Sequence, residues 1–331
     1  MKIIFFGTPD FAVPTLQRLI DRPEFEVIAV VTQPDKPRSR GKKLIPSPVK
    51  VVAETANIPV WQPRRVKKHQ ETRDRLRNCA ADAFVVVAYG QILSREILEM
   101  PRLGCVNGHG SILPKYRGAA PIQWSLVNGE PETGMTTMLM DEGMDTGPML
   151  LKSTLKIDLL ENFGQLASRM AISGADAIAE TLLKLNAGEL EPKSQDDSEA
   201  TYAPPISKED YRLDWTKSAI DLHNQIRGFY PNCTARFRDG DIKIVSTAPL
   251  GEAYWPQLPQ PIATLQNHWQ QISDRASKPG EVVYIAKKLG PVVATGDGFL
   301  LLGEVQLPGK KIQLGRDFVN GTRVEVGEYL S

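Results

Sequence analysis

The densest chemistry in the chain lies in Gly104-Cys105-Val106-Asn107-Gly108-His109-Gly110-Ser111-Ile112-Leu113-Pro114. Asn107 and His109 stand two residues apart at the end of an expected strand, a spacing that turns both side chains to one face. An amide N–H can donate to an oxygen on which negative charge develops. An imidazole can donate when protonated and take up a proton when neutral. Asp145, in the run Met140-Asp141-Glu142-Gly143-Met144-Asp145-Thr146-Gly147-Pro148, follows a second expected strand on the side where open α/β sheets hold ligands. Oxyanion stabilisation and proton transfer are within reach of these three groups. Each also has an ordinary structural use: a histidine can be a satisfied core residue, and Asp145 can hold a turn or cap a helix near Pro148. The glycines around Asn107 and His109 favour the functional use, because they let a substrate approach the backbone closely.

Positioning these groups is the task of an alternating pattern that runs from residue 1 to about 190. Lys2 to Phe6, Val27 to Thr32, Ala83 to Ala88 and Thr136 to Met140 read as strands. The unbroken Val85-Val86-Val87 run predicts a central strand covered on both faces. Phe11, Leu16, Leu19 and Ile20, and later Phe163, Leu166, Met170 and Ile172, recur at helical spacing. This half is expected to be α/β with a largely parallel sheet. A polar stretch, 191–208, predicts a linker. Beyond it, residues 209–331 predict one helix, Lys217 to Phe229, and then a small barrel from Thr234 to Phe237, Lys243 to Ser246, Glu281 to Ala286, Val292 to Thr295 and Phe299 to Leu302. Residues 251–279, rich in Pro, Gln, Trp and Ser, predict a surface insertion.

Bulk properties exclude several classes. A chain of 331 residues suits two cores rather than one. Forty basic and thirty-nine acidic residues leave a net charge of +1, so an RNA or membrane contact must come from local patches. Cys79, Cys105 and Cys233 have no paired spacing, which fits reduced thiols in a cytoplasmic protein and neither a disulfide framework nor a zinc site. The N-terminal apolar run is short and ends at Gly7, unlike a signal peptide, and no run is long enough to span a membrane. The first strand–helix turn, Gly7-Thr8-Pro9-Asp10-Phe11-Ala12, lacks the later glycines of a dinucleotide fingerprint. A helix start with Thr8 or Asp10 as N-cap is expected there. Lys36, Arg38, Arg40, Lys42, Lys43 and Lys50 form a basic loop punctuated by Pro34, Pro37 and Gly41. A charge run of this kind is usually a solvated face, but a long loop near a candidate active site is a credible phosphate contact.

Taken together, these segments resemble the methionyl-tRNA formyltransferase family. The matching motifs are Phe6 to Ala12, Thr32 to Pro37, Arg40 to Leu44, Pro46 to Lys50, Asn107 to Ile122, Glu132 to Gly134, Met140 to Gly147, Tyr202 to Pro204, Asp214-Trp215, Ala294 to Gly298 and Gly309 to Lys311. The resemblance implies a Rossmann-type formyltransferase domain over 1–190, the linker 191–208 and an OB-fold-like β-barrel over 209–331 that binds tRNA. It implies 10-formyltetrahydrofolate as formyl donor, methionyl-initiator tRNA as acceptor in translation initiation, no metal, no obligate protein partner and a monomer. By the same resemblance Asn107, His109 and Asp145 are catalytic. Ser111, Ile112, Leu113 and Pro114 contact folate, with Val87, Ala88, Tyr89, Gly90 and Ile92 on its pocket wall, and the basic loop with Lys36, Arg38, Arg40, Lys42 and Lys43 contacts RNA. Ile112, Gly108 and Pro205 depart from the residues usual in the family.

Three other functions fit parts of this pattern. A glycinamide ribonucleotide or amino-sugar formyltransferase would share the catalytic groups but not the basic loop and barrel. A nicotinamide dehydrogenase would need the missing glycine fingerprint. An RNA-binding module without catalysis would leave Asn107, His109 and Asp145 idle. In the barrel, Arg236, Arg238, Lys243, Lys310 and Lys311 are the expected RNA-facing cations.

Overall fold

A computed structural model describes residues 1–37, 44–275 and 277–331. The chain forms two compact units. The first comprises Met1–Pro121, Glu132–Leu155 and Ala167–Ala203; the second comprises Ile122–Pro131, Lys156–Leu166 and Pro204–Ser331. The polar segment 191–208 is thus divided, with residues up to Ala203 in the first unit and those from Pro204 in the second.

The first unit is built on seven strands: β1 Lys2–Gly7, β2 Glu26–Val31, β3 Val60–Trp61, β4 Ala83–Val87, β5 Cys105–His109, β6 Glu132–Leu139 and β7 Met149–Lys156. Their spatial order is β7-β6-β5-β4-β1-β2-β3. The pairs from β5 through β3 are parallel, whereas β5 and β6 run antiparallel. Strand alternation divides the core. Ile3 and Phe5 pack with Leu16 and Leu19 of helix α1 (Val13–Asp21), with Val49 of helix α2 (Pro48–Thr55) and with Ile178 of helix α3 (Phe163–Ala187). Ile4 and Phe6 face the other way, against Leu76, Leu93 and Ile97. Both faces are covered, as the apolar Val85-Val86-Val87 run required.

Two local expectations are corrected. Thr8 does not cap the first helix: its hydroxyl donates to the carbonyl of Tyr89 at 3.1 Å, and the short 3₁₀ turn Asp10–Ala12 has no side-chain cap. Ile172 is 57% exposed, while Leu166 and Met170 are buried, because the turn-by-turn advance of α3 carries position 172 off the buried stripe. Gly7 serves packing, since a Cβ there would lie 2.6 Å from the Phe5 ring and 2.9 Å from Ala12.

In the second unit the strands β8 Thr234–Phe237, β9 Gly240–Leu250, β10 Val282–Ala286, β11 Gly290–Ala294 and β12 Phe299–Gln306 lie in the order β8-β9-β12-β11-β10, and β13 Gln313–Leu314 pairs with β12. One face packs on helix α4 (Ala219–Gly228) through Leu222 and Ile226, and on α5 (Gly315–Thr322) through Phe318. The opposite face is covered by residues 251–273. These fold into helical turns of three to five residues and bury Trp255, Leu258, Leu265 and Ile272 against Ala248, Val283, Val292 and Leu301. The segment expected as a surface insertion is therefore a second apolar layer. At the C-terminus Leu330 bridges Phe237 of β8, and Tyr329 bridges Glu281 beside β10, so residues 329–330 reach both edge strands. Among the described residues no helix is long and apolar enough to cross a membrane.

Candidate active site

Strand β5 carries Asn107 and His109 to the carboxyl end of the sheet. Cross-strand pairing sets Asn107 opposite Met138 and His109 opposite Thr136. Directly opposed residues project to the same face. Met138 lines a cavity of about 310 Å³ together with Gln91, Ile92, Leu93, Met140 and the loop Asp141 to Asp145, so Asn107 projects to the cavity side of the sheet. The Asn107 amide has no partner among the described residues and is available to a ligand. Gly108 points the other way; a Cβ there would meet Ile178 and Val87 at 3.5 Å, an ordinary contact, so a small apolar residue would also fit.

His109 is buried, at 5% exposure. Its Nε2 lies 2.9 Å from the carbonyl of Tyr116, which can only accept, so Nε2 carries a hydrogen. Its Nδ1 lies 3.6 Å from Oδ1 of Asp145. That distance exceeds a direct hydrogen bond and suits a charge contact when Nδ1 is protonated. The second Asp145 oxygen accepts from the backbone N–H of Gly118 at 2.9 Å. Gly118 has φ 124°, and a Cβ there would lie 2.6 Å from the Ala203 carbonyl, so this donor position requires glycine. Asp145 itself is left-handed, at φ 56°. Its loop is braced internally by Asp141, whose carboxylate accepts from the Gly143 N–H and the Thr146 hydroxyl.

The structure distributes the expected folate residues unevenly. Ile92 lines the cavity and is 72% exposed at its rim, as is Met144 at 66%. Val87, Ala88, Tyr89 and Gly90 lead into the cavity from the end of β4, with Tyr89 buried and its phenol held well above the usual range by that burial. Ser111 and Leu113 are fully buried. The Ser111 hydroxyl donates to the Lys115 carbonyl at 2.6 Å, Leu113 N–H donates to Thr136, and Lys152 donates to the Leu113 carbonyl at 2.6 Å. This loop is held by protein groups, with Ile112 and Pro114 beside it and none of the four among the cavity's lining residues. Gln91, Met140 and Met144, which fall within the expected segments, also line the cavity, and Leu93 and Met138 line it without having been singled out. The signal that could have found Leu93 and Met138 was their position shortly after, or at the end of, an expected strand.

Of the basic loop, Lys36 is exposed, and Arg38, Arg40, Lys42 and Lys43 lie outside the described residues. Lys50 is not a free cation. Its ammonium donates to Asp35 at 2.7 Å and Gln62 at 2.9 Å, and Lys50 holds the Asp35 carboxyl below the ordinary range. Gln62 also donates to Asp35 and to the Gln33 carbonyl, which fastens the base of the loop. Arg64, Arg65 and Lys68 line a cleft of about 520 Å³ with Gln62 and His69, a basic surface that the sequence reading passed over. In the second unit Arg238 is occupied by Glu328 and the carbonyls of Thr322 and Arg323, and Lys243 by Asn232. Arg236, Lys310 and Lys311 remain as its candidate RNA-facing cations. No cluster of three metal-ligating side chains occurs among the described residues.

A mostly parallel α/β unit with this edge constellation, followed by a separate sheet unit, has the architecture of the formyl transferases. Residues 1–182 match the formyl transferase family, and residues 205–323 match the formyl transferase C-terminal domain. The chain is 62% identical over 329 residues to a methionyl-tRNA formyltransferase of Gloeothece citriformis, covering 99% of this chain and 98% of the relative. It is 63% identical over 328 residues to the corresponding enzyme of Trichodesmium erythraeum, with the same coverage. The chain belongs to the methionyl-tRNA formyltransferase family. At the level of fold, it is similar to WlaRD, a sugar 3N-formyl transferase solved with 5-N-formyl-THF, at TM-score 0.63 and 21% identity over 94% of this chain and 99% of that one. It is also similar to HypX of Aquifex aeolicus in complex with tetrahydrofolic acid, at TM-score 0.62 and 14% identity over 99% of this chain and 48% of that one.

Proposed function

We propose that this protein transfers the formyl group of 10-formyltetrahydrofolate to the free α-amino group of methionyl-initiator tRNA, for translation initiation. The observation that carries the catalytic assignment is the meeting of Asn107, His109 and Asp145 beside one cavity whose buried wall is apolar at Leu93 and Met138 and whose exposed mouth carries Ile92, Met144 and the carboxylates of Asp141 and Glu142. That lining fits the flat aromatic body and polar edges of a folate. Relatives 62–63% identical to this chain are methionyl-tRNA formyltransferases.

In the reaction a bond forms between the amine nitrogen and the formyl carbon, and the bond from that carbon to the donor's nitrogen breaks. Asn107 donates its unpartnered amide N–H to the formyl oxygen as negative charge develops there, an effect worth about 3 kcal/mol for one well-placed donor. His109, with Nε2 tied to Tyr116, uses Nδ1 for the second contact. Asp145 stabilises the imidazolium and takes the amine's proton through a water, then returns it to the leaving nitrogen. Positioning and electrostatics suffice for this exchange.

We read the second unit as an OB-like barrel that holds RNA; the C-terminal bridges, which reach toward both edges of its sheet, support the reading. Arg236, Lys310 and Lys311 are the cations we assign to RNA in this unit. In the first unit Lys36 and the segment with Arg38, Arg40, Lys42 and Lys43 supply phosphate contacts. Incubation with 10-formyltetrahydrofolate and methionylated initiator tRNA should yield formylmethionyl-tRNA. Formylation of an amino sugar or of glycinamide ribonucleotide in its place would overturn the acceptor assignment.

A further inference from the structure

We infer that Gln195, oriented by the buried guanidinium of Arg117, is a positioning residue that fixes Asp145 against His109. The inference rests on the reading of Asp145 as catalytic. The Gln195 amide nitrogen donates to two carbonyls, those of Asp145 at 2.7 Å and Gly147 at 2.8 Å. Its amide oxygen accepts from Arg117 Nε at 2.9 Å. Because a guanidinium has donors only, the atom facing Arg117 must be the oxygen, and the N–H pair is therefore committed to the Asp145 loop. Arg117 is 2% exposed. Its other contact, to Asp197 at 2.8 Å, reaches a carboxylate that is 84% exposed and contributes little. The interior bond to Gln195 is the one that fixes the amide.

The clasp is placed where the backbone needs it. A non-glycine residue at φ 56° is costly and persists only where its surroundings hold it. Gln195 grips the carbonyl of that residue and the one two positions on, which pins the peptide that follows Asp145 and the one that follows Gly147. The same strap of chain supports the carboxylate from its other side. Tyr202-Ala203 pairs with Arg117-Gly118, and Gly118 supplies the N–H that Asp145 Oδ2 accepts. Residues 195–203 thus control both the backbone and the side-chain partner of Asp145.

A double-mutant cycle tests this. Gln195→Leu should lower kcat for formyl transfer about 10²-fold, the scale of a misplaced catalytic group, with KM for both substrates within about threefold. In an Asp145→Ala background the same substitution should change kcat by less than about twofold, because its route of action is gone. Gln195→Glu, which keeps side-chain length but loses the two N–H donors at neutral pH, should reproduce the loss and carries the test if the leucine variant does not fold. Multiplicative effects in the double mutant, or a near-normal kcat in the folded Gln195 variants, would overturn the inference while leaving a slow Asp145→Ala to uphold the catalytic assignment. A normal rate in Asp145→Ala alone would overturn both.

Discussion

Lowering the pH from about 7 to about 5 should weaken the second unit through one side chain, His223. Its ring is buried on α4, with Nδ1 2.9 Å from the Thr247 hydroxyl and Nε2 2.7 Å from the Leu159 carbonyl. Leu159 can only accept, so Nε2 carries the hydrogen and Nδ1 receives the one from Thr247. Burial, with a smaller push from the Arg227 cation, lowers the imidazole pKa from 6.5 to about 4, against the opposing effect of the Leu159 carbonyl. The folded state therefore resists a proton that the unfolded chain accepts. Stability from this group is present above about pH 6.5 and is lost as pH falls toward 4. Linkage gives a loss of about 2 kcal/mol at pH ~5 and about 3 kcal/mol once pH lies below both values. His223→Gln keeps one donor for Leu159 and one acceptor for Thr247 without titrating. Urea unfolding followed by tryptophan fluorescence suits the measurement, since Trp124, Trp215, Trp255 and Trp269 all lie in the second unit. The wild type should lose about 2 kcal/mol more than the variant between the two pH values, carboxylate effects being common to both. Equal pH dependence would refute the buried neutral histidine.

Arg40→Ala should weaken tRNA binding and reduce the slope of log affinity against log salt by about one, read from a salt titration; an unchanged slope would remove that residue from the interface. Lys50→Met frees Asp35 and Gln62 and loosens the base of the basic loop, so KM for tRNA should rise several-fold while the single-turnover rate at saturating RNA changes little. Ile272→Ala, at a fully buried position of the 251–273 layer, should cost about 2–5 kcal/mol in unfolding free energy, where a mere surface insertion would lose almost nothing.

Much of the first unit was legible because its strands are short apolar runs. Residues 2 to 6 and 83 to 88 lie within a residue or two of the observed β1 and β4. The pairing of Asn107 with His109 was legible for the same reason, since a two-residue spacing on a strand has one geometric outcome. What escaped was whatever depends on a distant partner. Gln195 sits in Pro192-Lys193-Ser194-Gln195-Asp196-Asp197, where polarity satisfied by protein groups reads the same as polarity satisfied by water. Lys50 looked like its basic neighbours until the fold brought Asp35 and Gln62 to it. The 251–273 layer gave no helical period because its helical turns are too short to repeat one, and only the burial of Trp255, Leu265 and Ile272 reveals what they cover.

The most direct test of the account is the single-turnover rate of formyl transfer from saturating 10-formyltetrahydrofolate to methionyl-initiator tRNA in His109→Ala and Asp145→Asn. His109→Ala removes the Nδ1 donor, and Asp145→Asn removes the charge 3.6 Å from it while nearly preserving its shape. Both should slow the step by about 10²-fold or more, with binding of folate and tRNA retained, because the lost contacts belong to the transition state. Near-normal rates in both variants would contradict the assignment of this site as the one that transfers the formyl group.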